Sequence, residues 1–174
     1  MSRYSNLLNF GSLIGSEPNG EVQPKADILS GQAFTWEIGD LDLKNIKYAL
    51  MTLIRLGQEA GSNRAIIPTN PGIDLDLTDR ENVEEFLRVF DQFPLRMKDI
   101  FVGTAHPQGG NIIVGRNSSW ADNRVVTEEF NIEGYNNVYV ADASLFPTSI
   151  TINPQLTIMA LSSMVAKKVA AKFK

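Results

Sequence analysis

Few residues in this chain are equipped for chemistry. It has one histidine, His106, and no cysteine. Disulfides, zinc–thiolate centres and thiol nucleophiles are therefore excluded, and any step that needs an imidazole must use His106. An imidazole can take up and return a proton near neutral pH, which suits general acid–base work. His106 stands in Gly103-Thr104-Ala105-His106-Pro107-Gln108-Gly109-Gly110, where the glycine pair lets backbone approach a ligand closely. Further on, the apolar run Val138-Tyr139-Val140-Ala141 ends in the acidic Asp142, followed by Ala143-Ser144. Asn153-Pro154 then reads as a helix start: Asn is a favoured cap, and Pro at the first helical position lacks only a donor that would be unpaired anyway. The open N–H groups there favour negative charge, whether of a phosphate or of a reduced ring.

Each feature alone has a plainer explanation. A lone histidine is more often packed or merely exposed than catalytic, Asp142 can satisfy a turn, and a cap accounts fully for Asn153. No Gly-x-Gly-x-x-Gly dinucleotide turn and no Gly-x-Ser-x-Gly nucleophile turn occurs anywhere. A hydrolase or metal enzyme is a poor reading of so few ligands.

Several elements must position these residues. Apolar Ile46, Ala49, Leu50, Leu53 and Ile54 recur at three- and four-residue steps and predict a helix over about 43–60, capped by Asp42 and stopped by Gly61. Arg64 to Pro68 reads as a short buried strand. A second helix is expected over about 79–92, with Val83, Phe86, Leu87 and Phe90 inward, Thr78 and Glu81 as a capping box, and Pro94 as its end. Leu7–Phe10, Gln32–Ile38, Ile100–Val102, Ile112–Val114 and Val125–Val126 are short strand candidates. Val138–Ala141 reads as a strand buried on both faces. The last helix begins at Asn153-Pro154, and Leu156, Met159, Ala160 and Met164 give it a wide apolar face.

Composition sets the class. The chain has 174 residues, 43% of them hydrophobic and 21% charged, which supports a packed core. A net charge of −4 argues against nucleic acid as a partner. No run approaches the ~20 apolar residues of a membrane span, and residues 1–10 do not read as a signal peptide. A soluble, cytoplasmic protein is expected.

Order and spacing together add more. His106-Pro107-Gln108-Gly109-Gly110, then Val138 through Ser149 (Val-Tyr-Val-Ala-Asp-Ala-Ser-Leu-Phe-Pro-Thr-Ser), then Asn153-Pro154-Gln155-Leu156-Thr157-Ile158-Met159-Ala160-Leu161 resemble the C-terminal region of the glucose–methanol–choline (GMC) oxidoreductases. The resemblance implies oxidation of a small alcohol by hydride transfer to flavin adenine dinucleotide (FAD). It makes His106 the acid–base residue and Asn153 the residue that orients the substrate oxygen. Asp142, Ala143, Pro154 and Gln155 become cofactor-binding positions. Asn111-Ile112-Ile113-Val114-Gly115 stands where many members carry Cys-Arg-Met-Gly, with only Gly115 in common.

The expected fold is α+β: an antiparallel sheet with flanking helices over 1–125, like the family's substrate domain, then a strand–loop–helix over 126–174 that belongs to an otherwise missing FAD-binding domain. The expected partner is that missing chain or segment, or a second copy, because the apolar strand and last helix want cover. A truncated, non-catalytic interaction or remnant domain of the same fold is the alternative.

Overall fold

The structure, a computed structural model, describes residues 4–27, 32–115, 118–119 and 121–173. The architecture is α+β, with two small antiparallel sheets and three α-helices. The chain divides into two compact units. One takes Met1–Ile14 and Ile38–Gly103; the other takes Gly15–Glu37 and Thr104–Lys174.

In the first unit, α1 (Asp40–Glu59) and α2 (Arg80–Gln92) pack with the hairpin of β3 (Arg64–Ile67) and β4 (Ile73–Asp76). The hairpin register pairs Arg64 with Asp76 and Ile67 with Ile73. β4 alternates Ile73-Asp74-Leu75-Asp76, which puts Leu75 inward. Its core joins Ile54, Ile67, Leu75, Leu77, Val83 and Leu87, and a second cluster adds Phe90, Leu95 and Ile100. Both helix faces expected from periodicity are the ones that pack.

The ends of these helices differ from the expectation. α1 starts at Asp40 with Gly39 as cap residue, and Asp42 lies within the first turn, buried. Gly61 does take the left-handed conformation, φ +79°. At α2 the cap is Asp79: its Oδ1 accepts from the N–H groups of Glu81 and Asn82 at 3.0 and 3.1 Å. Thr78 instead donates its hydroxyl to Asp76 at 2.7 Å. An ionised carboxylate accepts more strongly than a hydroxyl, so Asp79 wins the cap position.

The second unit holds the hairpin of β1 (Glu21–Asp27) and β2 (Gln32–Thr35). Its register slips between Val22 and Asp27, across Pro24, which has no N–H to give a ladder. The remainder is largely irregular chain closed by α3 (Gln155–Lys172). Val126, Phe130, Val140, Leu145 and Val165 form its core.

Four expectations need correction here. Leu7–Phe10 forms no strand. Ile100 and Ile113 take part only in single bridges, with Thr69 and Val126. Val138–Ala141 makes a short antiparallel contact, with Tyr139 bridged to Asn131. It is not buried on both faces: Val140 is buried, whereas Tyr139 and Ala141, on the other face, are half-buried and exposed. The apolar residues named for α3 are the exposed ones, Leu156 at 79% and Met159 at 57%, whereas Leu161, Val165 and Val169 pack inward at four-residue steps.

Candidate functional site

All six candidate residues fall in the second unit. The His106 loop is held by its C-terminal half. Gly109 and Gly110 have φ of +84° and +109°, a region that disfavours any side chain. This reversal aims alternate N–H groups at one neighbour. Gly109, Asn111 and Ile113 donate to the carbonyls of Ala143, Ser144 and Leu145 at 3.1, 3.0 and 3.0 Å. The Asn111 side-chain amide also donates to the Ser144 hydroxyl at 3.1 Å. Asn111 therefore ties the loop to the Asp142 turn.

Asp142 caps the single-turn 3₁₀ helix Ala143–Leu145. Its Oδ1 accepts from the Ser144 N–H at 2.8 Å and the Ser144 hydroxyl at 2.5 Å. Those two bonds, the hydroxyl's first, hold its carboxyl below the usual carboxylate range against a small opposing effect of burial. Its Oδ2 has no protein donor among the described residues. Leu145 and Phe146 anchor the turn in the core, at 0% and 5% exposure.

His106 itself is half-buried, and among the described residues its ring has no hydrogen-bond partner. Asn153 is exposed and Pro154 buried. The start of α3 lies one residue later than expected: Pro154 is the cap residue, without a side-chain acceptor. Asn153 is thus not a cap, and its amide is left for another role. Among the described residues no side chain caps the first N–H groups of α3, from Gln155 on, and they carry the positive end of the helix dipole.

The structure therefore joins the His106 loop to Asp142 and Ala143 by direct bonds. It joins that loop to the Asn153 segment through a residue that sequence reasoning passed over: Gln108, whose Oε1 accepts from the Ile150 N–H at 3.1 Å. The only sequence signal was a long amide side chain beside the histidine. No described bond links His106 directly to Asn153, Pro154 or Gln155.

A family model described as GMC oxidoreductase matches residues 15–162, and the chain belongs to that family. It is similar to a long-chain-alcohol oxidase of Arabidopsis thaliana, 23% identical over 93% of this chain and 21% of that protein. It is also similar to an uncharacterised GMC-type oxidoreductase of Mycobacterium tuberculosis, 24% identical over 99% of this chain and 25% of that protein. The chain thus spans about a quarter or less of these relatives' length.

Proposed function

We propose that this chain forms the substrate-side C-terminal part of a flavin-dependent enzyme that oxidises an alcohol CH–OH group. The observation that carries the reading is the bonding of the His106 loop onto the Asp142–Leu145 turn, within a chain of GMC family membership. The residues present fit one side of FAD. Asp142 keeps Oδ2 for a sugar-chain hydroxyl, Ala143 lies beside it in the same turn, and the N–H groups at the start of α3, which follows Pro154 and begins at Gln155, suit an anionic ring. The pyrophosphate-binding Gly-x-Gly-x-x-Gly turn is not in this sequence, so it has to come from another segment or chain.

When bound, the flavin supplies the acceptor for the hydride that leaves the substrate carbon. His106 takes the hydroxyl proton as the C–O double bond forms. Among the described residues its ring has no partner to surrender. The Asn153 amide donates to the substrate oxygen and orients it, which converts a loose encounter into an aligned one. Two exposed aliphatic side chains, Ile152 and Leu156, flank Asn153. Together with the long-chain-alcohol oxidase among the relatives, they favour an aliphatic alcohol.

Cover for α3 is part of the proposal, supplied by the FAD-binding part or by a second copy. No described helix is long and apolar enough to cross a membrane. The decisive experiment joins this chain to its FAD-binding part and tracks bleaching of the flavin band by a series of aliphatic alcohols. His106→Ala is expected to slow bleaching by roughly 10²–10⁴-fold. Bleaching within a few-fold of wild type in that variant would sink the assignment, and the remnant-domain alternative would then stand.

A further inference from the structure

The loop that carries His106 is fixed on one side by backbone: three N–H groups, from Gly109 to Ile113, bond to three consecutive carbonyls. On the other side one side chain does the work. Gln108, part-buried, reaches across 42 residues of sequence to accept from the Ile150 N–H. Among the described residues no other hydrogen bond joins residues 104–110 to the segment 147–154. Ile150 is half-buried and stands three residues before Asn153, and Gln108 two residues after His106. A backbone N–H drawn partly out of water is stabilised by an acceptor, and this bond lies part-buried.

We infer that Gln108 is a positioning residue that fixes the His106 loop against the Asn153 segment, so that acid–base group and orienting amide meet one substrate oxygen. This rests on the reading of His106 and Asn153 given above. The chemistry asks for a side chain of Gln or Glu length with a terminal oxygen acceptor. Leu or Met at this position fills the space and accepts nothing comparable.

The test exploits the single histidine, whose ring signals in an NMR spectrum of the full chain have no overlap from another. The wild-type Ile150 amide is expected to be protected from hydrogen exchange. Gln108→Met should speed that exchange at least about tenfold and broaden or split the His106 ring signals, and Gln108→Glu should restore both. In the FAD-loaded enzyme, Gln108→Met should lower kcat by roughly 10–100-fold, the penalty of a misplaced group, with Gln108→Glu again recovering most of it. An unprotected Ile150 amide in wild type overturns the inference without any variant. So does faster exchange in Gln108→Met with unchanged His106 signals and kcat, which would leave Gln108 a packing residue only. If His106→Ala keeps its turnover while the Gln108 results hold, the catalytic reading fails and the tether survives.

Discussion

Asp142 shows how much one side chain does here. It ends the Val138–Ala141 segment, caps the turn that receives the histidine loop, and leaves one oxygen without a donor among the described residues. Because its folded pKa lies below the ordinary carboxylate value, it favours the folded state when ionised. That contribution is complete above its unfolded value, near 3.9, and is lost as pH falls from there through the lowered folded value. Asp142→Ala should therefore lower the melting temperature at neutral pH, and the gap to wild type should close as melts are taken to progressively lower pH below about 4. A gap that is constant with pH would mean that the carboxylate's charge is irrelevant to the turn. His106 and Asn153 were legible as candidates because their residue types are rare or special in context. Their support was not, since the bonds from Gln108 and Asn111 span 42 and 33 residues of sequence, and no local pattern announces them. The cap expected at Asn153 was off by one position, so the stability loss that a cap there would imply is not expected.

At the scale of elements, legibility tracks length. α1 and α2 repeat their apolar spacing over several turns and were readable almost to their ends. β4 sets aspartates, which strands disfavour, at alternate positions, and β1 contains a proline; neither was read as a strand, although β3, as short as β4, was. In 104–150 the short apolar runs looked like strands, yet they supply only isolated bridges, because two or three residues between glycines and asparagines cannot propagate a ladder. Phe130 sits at φ +64° while its ring is buried with Val126 and Val140, a conformation that no propensity would assign to phenylalanine. The α2 cap separates two readings sharply. Asp79→Ala should cost about 1 kcal/mol, and Thr78→Ala clearly less, since the Thr78 hydroxyl bonds Asp76 rather than the helix. Urea unfolding of the two variants measures this; equal losses would favour the Thr78 box read from sequence.

For the molecule as a whole, α3 is the element least satisfied by this chain. Only Val165 among its residues is buried, and Met159 and Met164 are at least half exposed. Contiguous apolar surface of this kind drives association. The chain alone should self-associate with rising concentration in light scattering, and Met159→Lys with Met164→Lys should return it towards monomer. A wild-type chain that stays monomeric at high concentration would count against an apolar cover for α3. The family was readable from order and spacing, while the division into units was not, because each unit is assembled from two separate stretches.

That interleaving has a consequence for the nascent chain. Residues 38–103 complete the first unit before Thr104 has been made, yet residues 15–37 belong with residues 104–174. At roughly 5–20 residues per second, the early hairpin, with Val22 and Phe34 opposite each other, waits several seconds on the ribosome for the segment it will join. During that interval the two-stranded hairpin stands without the rest of its unit, and a lone hairpin is marginally stable at best, so the order of synthesis, as well as the final structure, sets when the protein is most vulnerable.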